Sequence, residues 1–488
     1  MCRAIDIEGG KRCNEHNPYG ILKRNLQAKK QYHIARLAQN DLTTKQREKS
    51  EKALDDTISH MEALTAEKEG LGTVRPYVMD LTPHTVAVLN RLEEDGFSPY
   101  IVGGSVRDAL LGLDSKDIDI EVYGGQADSI IASLRKLGKV DEVGKSFGVL
   151  KIAIDGEDFD VSLPRTDNKI GDGHRGFEVE VNPDLSLEEA TARRDYTINA
   201  LMYTHKLGFI VDKHGGLKDL EAKQLRHVSE AFDEDPLRVL RGVQMASRFG
   251  MDLHPSTIEK AKTLKSEFKD LATERVQIEF QKLYEKGKRP DKALRLLKAT
   301  EWDQNFSGLA EINDKQLGKE TRRMQKLIDN GVVPKNKRVA LLSATIARRL
   351  NTNDKYNFLA STTVGDNEKN NALNITKLEL PQKQGKAALR AWANDMPRNT
   401  SIRDWAAYET AVGDPKEANR ILAKAEKWGI ADRAEKDFVN GQDMMKAFPD
   451  RKPGPWMKVA LDKARQAQYS NVFRTQADGV DWISKNIS

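Results

Sequence analysis

The hydrophobic pattern divides the chain into three stretches. From Ile21 to Glu69 apolar residues are sparse among polar helix formers, which predicts one or two exposed helices that end near Gly70. Between residues 80 and 212, short apolar runs typical of strands alternate with helical segments. Beyond Gly216 almost every long segment has its apolar residues at helical spacing. The pattern therefore predicts an α/β part followed by a long α-helical part.

The predicted elements can be placed more closely. The strands predicted in the α/β part are Tyr100–Val102, Asp117–Val122, Val149–Ile154, Phe159–Leu163 and Phe209–Val211. The helices predicted beyond them include Val228–Phe249, Thr257–Tyr284 and Val339–Leu350. A polar segment with glycines, Arg165 to His174, predicts a loop between strands. We expect a small mixed sheet with helices, followed by helices alone.

Composition agrees with a globular, helix-rich protein of several domains. The chain has 488 residues, of which 39% are hydrophobic and 31% charged. It contains no run of about 18 apolar residues, so neither a membrane span nor a signal peptide is expected. Two cysteines suit a reducing compartment, and we expect a cytoplasmic protein. With a net charge of +5, any binding to nucleic acid must depend on local basic patches.

A pair of glycines follows the first strand of the α/β part. Gly103-Gly104 comes directly after Tyr100–Val102 and predicts a tight turn where the backbone can approach a ligand closely. Ser105 is predicted to cap a helix that runs through Leu111. The N–H groups at the start of that helix would then face an anion such as a triphosphate.

Two aspartates begin the next predicted strand. Asp117 and Asp119 are two residues apart, so on a strand both carboxylates would point to one face. Such a pair can hold two Mg²⁺ ions about 3.5–4 Å apart, an arrangement used for displacement at phosphorus. The alternative is an ordinary acidic surface strand, but the glycine turn and Arg107 in front of the pair favour the metal site. Asp160, on a neighbouring strand, is a weaker candidate for a third ligand.

Arginines dominate a second cluster, Arg193-Arg194-Asp195, which is followed by Asn199. Guanidinium groups bind phosphate oxygens through two hydrogen bonds at once, so the cluster suits triphosphate recognition beside a metal site. Asn199 could contact a sugar hydroxyl or orient a loop. A charged helix end is the simpler interpretation of these residues by themselves.

The third cluster is a capped helix with charged side chains on its first turns. Asp235 is predicted as the N-cap and Pro236 as the first helical residue. Arg238 and Arg241 are three residues apart and share a helix face. A carboxylate acceptor near guanidinium donors can form hydrogen bonds to the edge of a base, although each feature also occurs in ordinary capped helices.

Together the three clusters resemble class II tRNA nucleotidyltransferases, the bacterial-type CCA-adding enzymes, which are related to bacterial poly(A) polymerases. The glycine turn with the aspartate pair resembles the catalytic motif of this family. RRDYTINAL resembles its sugar- and triphosphate-binding motif, and EDPLRVLR its nucleotide-selecting motif. FGVLKI and PGPWMKVALDKA are similar to further family segments. The resemblance covers about residues 80–486.

The resemblance implies a domain order. Residues 80–212 would form an α/β nucleotidyltransferase head, the catalytic domain. Residues 213–290 would form an all-α neck that selects the nucleotide, and residues 291–488 a helical body and tail that bind tRNA. Residues 1–72 form a polar helical extension outside the resemblance, and its function is not indicated.

The resemblance also implies an activity: template-independent addition of C, C and A to the 3′ end of tRNA from CTP and ATP, with Mg²⁺ as cofactor. The partners would be tRNA, CTP and ATP, without a membrane. Asp117 and Asp119 would be the catalytic and metal-binding residues. The residues that match nucleotide-binding positions of the family are Gly103, Gly104, Arg107, Arg194, Asp195, Asn199, Asp235, Arg238 and Arg241.

Other activities stay open at this point. A CC-adding enzyme, an A-adding enzyme or a poly(A) polymerase would share these motifs, and a non-catalytic RNA-binding protein on the same fold is a remote alternative. The segment GKSFGVLKIAI lacks the arginine-containing basic stretch of poly(A) polymerases and favours CCA addition. Gln244 stands where several relatives have an arginine, so one phosphate contact would be absent or replaced. The oligomeric state is not indicated.

Two further sets of residues are weaker candidates. Cys2, Cys13 and His16 would need a fourth ligand to bind structural zinc. Basic clusters and tryptophans of the helical part are candidates for RNA contact, although solvated helix faces and core packing explain them equally well. These residues are Arg322-Arg323, Lys335 to Arg338, Arg348-Arg349, Trp392, Trp405 and Trp456.

Overall fold

The computed structural model of this protein describes residues 18–39, 42–114, 117–141, 148–169 and 177–487. They form two compact units, one of residues up to Arg238 with Asp252–Lys260, the other of Val239–Met251 with the residues from Ala261 onward. The cysteines and the histidine of the candidate zinc site precede residue 18 and lie outside the described ranges. Among the helices of these ranges, none is long and apolar enough to cross a membrane.

A mixed sheet of eight strands is the centre of the first unit. Its strand order is β1-β10-β9-β2-β3-β6-β5-β4, with β3 and β6 parallel and every other neighbouring pair antiparallel. Its strands are β1 (Thr73–Pro76), β2 (Ser98–Val102), β3 (Asp119–Tyr123), β4 (Lys139–Asp141), β5 (Val149–Ile154), β6 (Glu157–Ser162), β9 (Met202–Thr204) and β10 (Phe209–Asp212). β7 (Arg165–Lys169) and β8 (Phe177–Val181) form a separate hairpin, and β11 (Gln224–Leu225) pairs with β12 (Asp252–Leu253).

Helices cover this sheet and precede it. They are α1 (Pro18–Leu37), α2 (Thr44–Gly70), α3 (Pro83–Glu94), α4 (Gly104–Leu110), α5 (Ala127–Leu134), α6 (Leu187–Ala192) and α7 (Gly216–Glu221). Two helices follow, α8 (Leu237–Phe249) and α9 (Pro255–Thr263).

Strand periodicity gives the sheet two different faces. On β2 and β3 the side chains of Ile101, Ile120 and Val122 enter the main core, where they are fully buried. The alternate residue Val102 enters a second cluster on the opposite face. The polar residues Asp119 and Glu121 share that opposite face because they alternate with Ile120.

The N-terminal hairpin of α1 and α2 packs on the sheet. Tyr19 and Leu71 are buried in the same cluster as Val102 and Phe209. The rings of Tyr19 and Phe209 lie 5.2 Å apart, and the Tyr19 amide donates to the carbonyl of Leu207 at 3.2 Å. The extension is therefore part of the core of this unit and is not an appended segment.

The second unit is helical. After α8 its helices are α10 (Thr273–Lys286), α11 (Pro290–Ala299), α12 (Asp314–Asp329), α13 (Arg338–Ala347), α14 (Thr352–Thr362), α15 (Gly365–Thr376), α16 (Lys386–Asp395), α17 (Ile402–Val412), α18 (Pro415–Lys427), α19 (Gly441–Ala447), α20 (Pro455–Tyr469) and α21 (Gln476–Asn486). Phe280, Phe306 and Phe358 stack edge to face in one core, with centroids 5.0–6.4 Å apart. The predicted fold class, an α/β head followed by a helical remainder, is confirmed; the short strands β11 and β12 are the exception within the predicted neck.

Several predicted boundaries are wrong. The helix predicted from Val228 begins at Leu237, because Asp235 and Pro236 mark its start and the segment before them is a 3₁₀ turn, Glu230–Glu234. The helix predicted over Thr257–Tyr284 is interrupted by the 3₁₀ turn Lys265–Asp270 between α9 and α10. The helix predicted over Val339–Leu350 is Arg338–Ala347. The predicted loop from Arg165 begins as strand β7, and residues 170–174 lie outside the described ranges.

Most of the basic clusters pack within the second unit. The guanidinium of Arg338 donates to the carbonyl of Tyr284 at 2.5 Å, and Arg349 pairs at 2.6 Å with the fully buried Glu320. Arg322 keeps 58% of its side chain exposed. Trp405 is a core residue, with its ring 5.2 Å from that of Trp392, whereas Trp456 packs against Phe448.

Candidate active site

The turn after β2 has the conformation that its glycines predict. Gly103 has φ 76° and ψ −134°, a combination that side chains rarely tolerate, and helix α4 begins at Gly104. Ser105 does not cap this helix as predicted. Gly103 occupies the N-cap position without a capping side chain among the described residues, and the Ser105 hydroxyl donates to the carbonyl of Val102 at 3.1 Å.

The strand that contains the second aspartate begins two residues later than predicted. Asp119 is the first residue of β3 and lies opposite Val102, the last residue of β2. Asp117 therefore precedes the strand. The predicted start of the strand at Asp117 is therefore wrong, and a shared face for the two carboxylates stays a prediction; both residues are exposed.

The carboxylate of Asp119 lies in a strongly electrostatic environment. Asp119 is an exposed residue, but its carboxyl group is partly withdrawn from solvent, which raises its pKa. Arg194 opposes that rise, and the negative charges of Asp160 and Asp117 add to it. Asp160 is the partner of Asp119 across the parallel pair β3 and β6, and its carboxylate also accepts Lys151 at 3.1 Å. A cation at Asp119 would offset this concentration of negative charge.

The donor set fits a hard divalent cation, because carboxylate oxygens are the ligands that Mg²⁺ prefers. Within the described ranges no group of three or more His, Cys, Asp and Glu side chains is arranged to hold a metal ion. Asp160 therefore does not complete a three-ligand group, and metal binding would rest on Asp117 and Asp119.

Arg194 is the side chain that joins the glycine turn to Asp119. A Cβ atom on Gly103 would lie 3.1 Å from Nη1 of Arg194 and 3.8 Å from Oδ2 of Asp119. The backbone turn, the guanidinium and the carboxylate thus meet around one point. Arg194 follows the C-terminus of α6, and its amide donates to the carbonyl of Thr191 at 3.1 Å.

Glu121 is a residue of this site that the sequence analysis missed. Its side chain is fully buried, and its Oε2 accepts Nη2 of Arg194 at 3.2 Å and Nη2 of Arg193 at 3.4 Å. The signal that could have found it is the alternation Asp117-x-Asp119-x-Glu121. The predicted arginine cluster and the predicted acidic strand are therefore joined directly.

Arg107 connects the first predicted cluster to the second. Its guanidinium donates to Asp108 at 2.6 and 2.8 Å and to Oδ1 of Asn199 at 2.5 Å. Nδ2 of Asn199 in turn donates to Oδ1 of Asp195 at 2.9 Å, and that oxygen also accepts the amide of Tyr196. A buried polar network therefore fixes three of the predicted nucleotide-binding residues against each other. A Cβ atom on Gly104 would lie 3.4 Å from Nη2 of Arg107.

The residues of the third cluster belong to two different compact units. Asp235 accepts the amide of Leu237 at 3.3 Å, which confirms its helix-starting role. Nη1 of Arg238 donates to the carbonyl of Ala231 at 2.5 Å, and Nη2 to that of Arg193 at 2.8 Å, so Arg238 is joined to the arginine cluster. Arg241 belongs to the second compact unit, on an exposed position of α8.

The part of the chain that contains the first two clusters is similar to known proteins. Residues 99–226, which include the first two clusters, match the family described as the Poly A polymerase head domain. The Multifunctional CCA protein of Nitrosomonas europaea is 46% identical over 165 residues, which are 34% of this chain and 38% of that protein. The CCA-adding enzyme of Coxiella burnetii is 43% identical over 166 residues, 34% of this chain and 42% of that protein. The head of this chain is therefore similar to the Poly A polymerase head domain and to the same part of proteins named as CCA-adding enzymes.

Solved structures of CCA-adding enzymes share the fold over more of the chain. The CCA-adding enzyme of Bacillus stearothermophilus, solved with CTP, has a TM-score of 0.61 at 23% identity and covers 83% of this chain and 98% of its own. The Thermotoga maritima enzyme, solved with tRNA, has a TM-score of 0.63 at 18% identity and covers 85% and 99%. The sequence matches span only about two fifths of the curated relatives' length, 38% and 42%, whereas the fold extends through the helical part.

Proposed function

We propose that this protein is a CCA tRNA nucleotidyltransferase, which adds C, C and A to the 3′ end of tRNA from CTP and ATP without a template. The observation that carries the proposal is the meeting of the Gly103 turn, Asp119 and Arg194 around one point. The names of the relatives and the CTP and tRNA complexes of the structural neighbours support the same activity.

The residues of the site have different roles in nucleotidyl transfer. Asp117 and Asp119 hold Mg²⁺, which when bound lowers the pKa of the attacking 3′-hydroxyl and offsets the charge of the leaving pyrophosphate. Arg194 and the backbone of Gly103 and Gly104 hold the triphosphate. Because the reaction needs no covalent intermediate on the protein, these residues contribute mainly position and charge.

The buried network keeps the nucleotide-binding residues in place. Arg107 bonds to Asn199, and Asn199 bonds to Asp195, so a shift of one residue moves the others. Asp235 and Arg238 select the base, since a carboxylate accepts from the exocyclic amine that cytosine and adenine both carry.

The remaining segments follow the domain order implied by the family. We assign the head to residues 80–212, to which β1 adds an edge strand before residue 80, and the neck to residues 213–290. Residues 291–488 form the tRNA-binding body and tail, where exposed basic residues such as Arg322 suit contact with phosphates. Because tRNA and free nucleoside triphosphates are its substrates, the enzyme works in the cytoplasm.

The test is incubation with tRNA that ends before, within and after the CCA sequence, with CTP and ATP supplied separately and together. We expect CTP alone to add two C residues, and ATP to be incorporated once, after both. Addition of C only, or of A only onto a CC end, would indicate a partial enzyme. Repeated A addition to any RNA 3′ end would indicate a poly(A) polymerase, and no incorporation by an enzyme that still binds tRNA would refute transferase activity.

A further inference from the structure

Glu121 is a fully buried carboxylate in the middle of the candidate site. It lies two residues after Asp119 on β3, so both side chains occupy the same face of the sheet. A buried charge of this kind is costly unless other groups compensate it. The two arginines that follow α6, Arg193 and Arg194, supply that compensation.

The two oxygens of Glu121 have different partners. Oε1 accepts the hydroxyl of Tyr123, while Oε2 accepts both arginines. Burial raises the pKa of Tyr123, and the Glu121 charge raises it further, so the hydroxyl stays protonated and remains a donor. Tyr123 therefore fixes the carboxylate in the orientation in which its other oxygen faces the arginines.

The contact with Glu121 also orients the rest of Arg194. Nη2 of Arg194 bonds to Glu121, whereas Nη1 lies 3.1 Å from the position of a Cβ atom on Gly103. A guanidinium group is rigid and planar, so holding one terminal nitrogen limits where the other can point.

We propose that Glu121 is a positioning residue that holds Arg194 against the glycine turn, in the orientation that receives the triphosphate of the incoming nucleotide. Glu121 itself touches no substrate and acts through Arg194. The proposal rests on the function proposed above, because it names how the phosphates are held in that same site.

A double-mutant cycle tests this role. Binding of CTP and of inorganic tripolyphosphate, without tRNA, is measured for wild type, Glu121→Gln, Arg194→Ala and the double variant. We expect Glu121→Gln to raise both dissociation constants about tenfold, the size of one charge-assisted hydrogen bond. In the Arg194→Ala background the same substitution should change them less than twofold, because the residue through which Glu121 acts is gone.

Kinetics give a second readout that a purely structural role would not produce. With tRNA present, Glu121→Gln should raise the KM for CTP about tenfold and leave kcat within about twofold, since phosphate contacts act in ground state and transition state alike. A loss of kcat at unchanged KM would indicate a smaller folded fraction and would overturn the proposal. So would equal effects of Glu121→Gln with and without Arg194.

Two further variants keep the test decisive. Tyr123→Phe leaves the carboxylate in place but removes the donor that orients it, so a smaller rise in the same constants is expected even where Glu121→Gln does not fold. Glu94→Gln is the matched control, because Glu94 is 64% exposed and pairs with Arg91 on α3. If wild type binds tripolyphosphate but extends no tRNA, the proposed function fails and the cycle still decides the role of Glu121. If wild type binds no tripolyphosphate, the role of Glu121 is refuted.

Discussion

Gly103→Ala would change the candidate site where the backbone turn, Arg194 and Asp119 meet. The residue has φ 76° and ψ −134°, a backbone conformation that costs a residue with a side chain about 1–3 kcal/mol. A unit of this size loses about 2–4 °C of melting temperature per kcal/mol. The strain alone should therefore lower the melting temperature by about 2–12 °C.

The new methyl group would also displace a guanidinium. It would lie 3.1 Å from Nη1 of Arg194, which is closer than about nine in ten Cβ contacts in proteins, so the guanidinium must shift by a few tenths of an ångström. A hydrogen bond between charged groups contributes about 1.5–3 kcal/mol. Since about 1.4 kcal/mol corresponds to a factor of ten, kcat/KM for CTP and ATP should fall about ten- to a hundredfold.

Two other glycines separate strain from displacement. Gly124 also has a positive φ, 80°, but no atom of the described residues lies within 4 Å of its Cβ position, so Gly124→Ala introduces backbone strain without the contact. Gly104 is the first residue of α4, and its Cβ atom would make an ordinary contact of 3.4 Å with Arg107. Melting curves and steady-state incorporation kinetics of the three variants provide the assay. The reasoning is refuted if Gly103→Ala loses no more kcat/KM than Gly124→Ala at a similar melting temperature.

Three further substitutions extend the test to other parts of the molecule. Asp119→Asn should abolish incorporation yet raise the melting temperature of the metal-free protein at neutral pH. Because the pKa of Asp119 is raised in the folded protein, ionisation of this carboxyl group destabilises the fold as the pH rises through that pKa. The increase in melting temperature should therefore vanish below the ordinary pKa of 3.8. A lower melting temperature at neutral pH would contradict this. Tyr19→Ala should lower the free energy of unfolding by about 3–5 kcal/mol, because the Tyr19 side chain is buried against the sheet. Chemical denaturation measures this loss, with Tyr32→Ala as the control, since Tyr32 is 56% exposed. Arg238→Ala should reduce the preference for CTP and ATP over UTP and GTP about tenfold or more, since a bidentate base contact is worth roughly 1–3 kcal/mol; in competition assays, an unchanged preference would leave Arg238 with only its bonds to the backbone.

Hydrophobic periodicity predicts five of the eight strands of the sheet and the change to a helical remainder, but it does not predict β1, β4 or β9. Val149–Ile154 is predicted to the residue, and the other four predicted strands differ by at most two residues at either end. The edge strand β1 was missed, because it contains Arg75 and Pro76 and is only half buried. Proline is tolerated there because β1 lies at the edge of the sheet.

The wrong predictions at the site concern residues whose contacts are set by other parts of the chain. The start of β3 depends on where β2 ends, and β2 ends at Val102 because Gly103 turns the chain. Local spacing therefore could not show that Asp117 precedes the strand. Ser105 was predicted as a cap from its residue type alone, while the actual donor–acceptor pair is set by the tight turn before it. The role of Glu121 could not be inferred because its arginines lie more than 70 residues later in the chain.

Strand β3 shows how one alternating sequence supports two kinds of carboxylate. Ile120 and Val122 occupy the core face, so Asp119 and Glu121 must share the other face. Along that face exposure falls from Asp119, at the exposed end of the strand, to Glu121, which is fully buried. Solvent can be exchanged for a cation at the exposed end, whereas the buried carboxylate needs permanent partners and obtains them from arginines. Two acidic residues of nearly the same chemistry thus acquire different roles, metal binding and positioning, because the strand places them at different depths.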